Sequence, residues 1–160
     1  ISQQKLTRMR LTSFPSKLDQ YLIPLFKRYA LDILRISLGI VFYWFGFLKF
    51  FPNVSPAESL ATDTINVLTF GMIPSYISIK ILAVWETLIG IGFLCNIFQR
   101  TTLFLLWTQM IGAWMPLIIF PERMFIYFPF ILTLEGQYIL KNMVLIAATF
   151  VLGAYVKSNK

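Results

Sequence analysis

Four stretches of the chain, about 29–51, 76–98, 101–120 and 136–156, stay apolar long enough to cross a bilayer as helices. A hydrocarbon core of ~30 Å takes roughly 20 residues at about 1.5 Å each. Every stretch carries a stripe of small or polar residues, mostly three or four positions apart. In the first it is Arg35, Gly39, Phe42, Gly46 and Lys49; in the second, Ala83, Glu86, Thr87 and Gly90. In the third it is Thr102, Gln109, Gly112 and Pro116; in the fourth, Asn142, Ile146, Thr149 and Gly153. Such faces let helices approach closely in lipid. The pattern predicts an all-α integral membrane four-helix bundle with these stripes turned inward, a tight turn at Gln99–Thr101 and a kink at Pro116.

The intervening segments are distinct. Residues 1–28 are basic and partly interfacial. Leu18, Tyr21, Leu22, Leu25 and Phe26 predict a short amphipathic helix over 17–28, lying on the membrane surface and interrupted near Pro24, while 1–12 are expected to be disordered. In the loop 52–75, Ser55-Pro56-Ala57-Glu58 has capping-box spacing. It predicts a short surface helix from Pro56 to about Phe70, with Leu60, Ile65, Val67 and Leu68 as its apolar side and Gly71 and Pro74 as its stop. Residues 121–136 are rich in aromatics and suit the interface; a re-entrant path there needs cover from protein. Residues 157–160 form a tail.

Composition supports a membrane domain over 29–156. Of 160 residues 58% are hydrophobic and only 13% charged, with a mean hydropathy of +0.72. The net charge of +7 is accordingly read as topology signal and contact with anionic lipid, and not as a nucleic-acid surface. The basic leader, Arg100, Lys157 and Lys160 fall on one side of a four-span chain, and 52–75 holds no Lys or Arg. The positive-inside rule places both termini in the cytoplasm. The first thirty residues show no signal-peptide pattern, and the chain begins at Ile1 without methionine, consistent with a start upstream.

Histidine is absent, which removes imidazole haem ligation, histidine metal sites and histidine acid–base catalysis from this chain. The single cysteine, Cys95, allows no internal disulfide and is expected to pack as a small apolar residue. No metal site and no intrinsic cofactor are predicted, and enzymatic activity is disfavoured.

The candidate chemistry lies in an intramembrane polar set: Arg35, Lys49, Glu86, Gln109, Glu135, Lys141 and Asn142. Glu86 sits near the middle of its span, where a carboxylate costs roughly 2.5–3.5 kcal/mol even on lenient insertion scales. Counting from the outer helix ends puts Lys49 roughly 12 Å above Glu86 and Arg35 roughly 9 Å below it. No cation is then level with it, and Gln109 and Tyr43 are the hydrogen-bond candidates. Two outcomes stay open: a basic partner reached by a long side chain, or a protonated carboxyl. Lys49, Glu135 and Lys141 are expected to gather as an outer rim, with Arg123 and Lys80 nearby.

Four segments resemble the DoxX-like family of small bacterial membrane proteins: Gly46-Phe47-Leu48-Lys49-Phe50-Phe51, Ser55-Pro56-Ala57-Glu58, Trp85-Glu86-Thr87-Leu88-Ile89-Gly90, and the run from Thr133 to Asn142. The resemblance covers roughly 29–156 and implies a four-span bundle. It also implies proteins similar to subunits found beside quinol oxidases and thiosulfate:quinone oxidoreductases. The resulting expectation is an accessory or structural subunit of a larger membrane assembly, such as a respiratory chain complex, with lipids and other membrane subunits as partners. One alternative is a quinone- or lipid-binding oxidoreductase component using Glu86. A second is a small transporter or proton path.

Overall fold

A computed structural model describes residues 16–156. The expectations for residues 1–12 and for the tail at 157–160 lie outside the described residues. The elements are α1 (Ser16–Leu48), α2 (Glu58–Leu68), α3 (Ser75–Cys95), α4 (Gln99–Trp114), α5 (Pro116–Ile119), α6 (Pro121–Met124), β1 (Phe125–Tyr127), β2 (Ile131–Leu132) and α7 (Leu134–Tyr155). Four helical stretches are long and apolar enough to cross a membrane: Leu18–Leu48, Ser75–Cys95, Gln99–Ile119 and Leu134–Tyr155. The protein is an all-α membrane bundle with one small hairpin.

The chain divides into two units after Ile33. In the first, helix α1 runs through Pro24 without a break. The separate 17–28 helix expected from the sequence is therefore the beginning of a 33-residue one. Proline removes one backbone donor and strains one turn, but the residues on both sides keep their own helical bonds. Leu18, Tyr21, Leu22, Leu25 and Phe26 are all exposed there.

The second unit, from Leu34 onward, holds the bundle. Its buried stripe on α1 is Leu38, Gly39, Phe42 and Gly46, continued by Lys49 just past the helix end; this is the predicted seam except that Arg35 is only half-buried and Leu38 joins it. Three close approaches set α1 against α3. A Cβ added to Gly39 would lie 2.8 Å from Leu94 Cγ, one on Gly90 2.6 Å from Tyr43 Cα, and one on Gly46 2.6 Å from Thr87 N. From Gly39 to Tyr43 to Gly46 the chain advances by four and then three residues. Its partners retreat from Leu94 to Gly90 to Thr87 by the same steps. The two helices thus run antiparallel in one fixed register.

Helix α3 turns into α4 through Asn96 and Phe98, both left-handed, with φ of 56° and 46°. This turn falls three residues earlier than Gln99–Thr101. Gln99 is already in α4, and its amide donates to the Gly92 carbonyl at 2.9 Å. Helix α3 packs on α4, and α4 on α7, where Trp107 meets Phe150 edge to face at 5.1 Å. The predicted stripe on α4 is only partly inward: Thr102 and Pro116 are buried, but Gly112 is exposed, with no atom near a Cβ placed there. On α7 Thr149 is buried while Gly153 is exposed. Cys95, expected inside, is exposed at the last residue of α3.

On the side away from the α3–α4 turn a second core forms. Leu60 of α2, Met124 of α6 and Ile139 of α7 are buried together, with Trp114, Leu117, Phe120 and Phe125 packed around them. Helix α2 turns Leu60, Thr62 and Thr64 inward and leaves Val67 and Leu68 outside, so its predicted apolar side is only partly the buried one. The Thr64 hydroxyl bonds to the Leu60 carbonyl at 2.6 Å, which lets a threonine stay dry. The capping box does not close. The helix is capped by Ala57 without a side-chain bond, and the Glu58 carboxylate accepts from the Asn53 amide at 2.9 Å.

The antiparallel pair β1–β2 was not foreseen in the aromatic segment. The run Phe125-Ile126-Tyr127 and the pair Ile131-Leu132 flank Pro129, and that β-favouring composition around a turn is the signal that points to it.

Candidate functional site

The centre of the bundle holds a polar triad from three helices. Lys49 follows the last residue of α1, in a final turn tightened by its amide bond to the Gly46 carbonyl at 3.1 Å. Its side chain runs back along the helix. The ammonium donates to the Phe45 carbonyl at 3.3 Å and to Glu86 Oε2 at 2.5 Å. A cation at a helix C-terminus also satisfies carbonyls that have no partner in the helix. From α4, the Gln109 amide donates to Glu86 Oε1 at 2.9 Å. Both carboxylate oxygens are thereby held, and Lys49 and Glu86 are each only 7% exposed.

This pairing corrects the depth count. That count aligned the outer ends of the first two spans, whereas the close approaches align them by backbone contact. Gly46 sits against Glu86 and Thr87, so Lys49, three residues further on, is about one turn from the level of Glu86 and not two. The rest of the offset is taken up by α3, which begins well beyond the end of α1. Tyr43 is not a hydrogen-bond partner of Glu86: its backbone fills the notch at Gly90, and its ring stacks on Phe47.

The remaining candidates are elsewhere. Arg35 donates to the carbonyls of Phe93 and Leu94 at the end of α3, where it adds to the cap bond that Phe93 accepts from the Asn96 backbone. Glu135 lies 3.5 Å from Arg123, which also meets Asp63 at 2.8 Å. The hydrogen bond to Asp63, with a smaller contribution from Glu135, holds the Arg123 guanidinium above its ordinary range. Lys141 is exposed, with its ammonium 5.1 Å from the centre of the Tyr138 ring. Asn142 is half-buried, and Lys80 is exposed. The expected rim of Lys49, Glu135 and Lys141 is not assembled. Lys49 turns inward to Glu86, Glu135 turns to the surface network, and Lys141 stays exposed over the Tyr138 ring.

Sequence reasoning missed one contributor, Thr133, and placed Arg123 near Glu135 without naming Asp63 as its second partner. Thr133 caps α7: its hydroxyl accepts from the Gly136 amide at 3.2 Å and donates to the Arg123 carbonyl at 2.7 Å. Its position just before a long apolar run was the available signal. Arg123 joins three elements, through Asp63 of α2, Glu135 of α7 and its own place in α6. Nothing local in the sequence names both partners, which lie 60 and 12 residues away.

Chemically, the triad holds both oxygens of one carboxylate between an ammonium and an amide donor. It bonds three membrane helices to one another at a depth where an unmatched charge is costly. Among the described residues no group of three or more carboxylates or thiols is placed to hold a metal. The family model described as DoxX matches residues 30–120, more than half of the chain. No curated protein and no solved structure matches it.

Proposed function

The chain belongs to the DoxX family, and we propose that this small multi-pass membrane protein is an accessory, structural subunit of a larger membrane assembly. The observation that carries this reading is the closed triad. Glu86, the carboxylate in the middle of α3, has both oxygens bound by its own chain. The interior then serves as a rigid frame, and contact with other molecules falls to the apolar exterior. Trp44, Phe104, Ile111 and Val144 are among the large residues exposed there. The resemblance of the sequence to subunits beside quinol oxidases makes a respiratory assembly the first class to test, in a bacterial inner membrane with both termini cytoplasmic.

Deleting the chain should lower the amount of one defined membrane complex on native gels, and re-expression should restore it. A chain that runs alone, and whose loss leaves every complex intact, overturns the reading. The second reading, a quinone- or lipid-linked role for Glu86, is favoured by the carboxyl's place at the meeting point of three helices. Unchanged quinone turnover in a folded Glu86→Gln variant removes it.

A further inference from the structure

The outer side of α3 and α4 carries a groove of about 590 Å³, a volume in the range that holds small molecules. One stripe of α3 lines it: Tyr76, Lys80, Val84 and Leu88, each four residues after the last. Leu105 of α4 supplies the facing wall, and the Trp85 indole donates to the Leu105 carbonyl at 3.0 Å, tying the two helices together beside the groove.

Length and charge both bear on the occupant. From Tyr76 to Leu88 the stripe runs about 18 Å at ~1.5 Å per residue, close to the ~15 Å of a single leaflet, half of the hydrocarbon core. Its polar groups are confined to one end. Tyr76 and Lys80 lie in the first two turns of α3, which begins at Ser75, and everything deeper along the stripe is aliphatic. Lys80 is exposed, and among the described residues no carboxylate pairs with it. A lysine near a helix end extends its ammonium toward the headgroup layer while its stem stays on apolar surface. A cation at the rim above an apolar trough one leaflet deep is complementary to one amphiphile: phosphate at the top, hydrocarbon below.

We infer that this groove is a binding site for an anionic glycerophospholipid. The headgroup phosphate meets the Lys80 ammonium and the Tyr76 hydroxyl, and one acyl chain lies along Val84 and Leu88. The inference does not depend on the accessory-subunit reading.

The test uses the full chain reconstituted in bilayers containing phosphatidylglycerol and phosphatidylcholine. Spin-labelled versions of each lipid report which is retained at the protein surface. Phosphatidylglycerol should be preferred by about fivefold, the factor that one basic residue contributes near the membrane surface. Lys80→Gln should abolish the preference. Leu88→Trp, a change at a position 53% exposed, should fill the trough and release both lipids with the fold intact. Equal retention of the two lipids by the unaltered protein overturns the proposal, as does a preference that survives Lys80→Gln. A preference that survives Leu88→Trp overturns it too, because the phosphate then needs only the lysine and not the groove. Recovery of a partner's acidic transmembrane helix in the groove, in place of lipid, also overturns it.

Discussion

Lys49 and Arg123 both join helices through carboxylates, one inside the membrane bundle and the other on its α2 side. The Lys49–Glu86 pair is buried, and Gln109 occupies the second carboxylate oxygen. The Arg123 pair is open to solvent: the Asp63 and Glu135 side chains are 52% and 43% exposed. Water around Arg123 can replace either partner at little loss. Around Glu86 nothing can, so each partner there is bound to the others by the cost of being left alone. Similar bonds therefore do different work, one fixing which helices meet and the other adjusting how firmly the α2 side closes.

The sharpest way to break this contrast is to remove one buried partner. Glu86→Met should cost about 3–5 kcal/mol, because it strands the Lys49 ammonium. Adding Lys49→Met to it should restore most of that stability, as read by thermal unfolding in detergent. A double variant as weak as the single one would mean that the pair is not the link.

Next in size are the close approaches that bring the pair together. Gly90→Val places side-chain atoms on the Tyr43 backbone and should cost about 1–3 kcal/mol. Gly112→Ala, with open space beside it, should be neutral or gain up to about 1 kcal/mol in the same assay. Equal losses at both positions would show that glycine matters here for backbone freedom and not for contact.

The α2 side should yield smaller changes. Thr133→Ala removes the cap of α7 and should lower stability by about 1 kcal/mol, with amide exchange rising first in the opening turn of the helix. Arg123→Gln should cost about 0–1 kcal/mol, and less as salt is added. The pH sign is set by the raised affinity of Arg123 for its proton. Its contribution is complete below the ordinary arginine range and fades only as pH climbs above it. A large loss on Arg123→Gln at neutral pH and high salt would erase the distinction between the two networks.

Much of the buried side of the bundle was legible in the chain. The stripe from Gly39 through Phe42 and Gly46 to Lys49 was readable because lipid offers no reward for burying leucine, so small and polar residues mark the contacts. The inward direction of Glu86 followed from the cost of the alternative, and the start of a new short helix at Pro116 from its missing donor. What escaped was axial offset. A span's hydrophobic length says how far it reaches, not where it starts relative to its neighbour, and Lys49 was misplaced by that ambiguity alone. The Arg123 network escaped for another reason. Surface ion pairs are settled by the path of a hairpin and a cap that bring Asp63 and Glu135 to one arginine, and no period in the sequence records that path.

The matched notches of α1 and α3 also limit how this protein moves. A slide of one turn in one direction would set Lys49 level with Lys80 and press Tyr43 toward Glu86. A slide in the other would drive Phe47 into the space Gly90 leaves for a bare backbone. Neither neighbouring position is a resting place, so the pair has no ratchet of the kind by which packed helices step between states. These two helices change their relation only by parting, and until they part they behave as one piece.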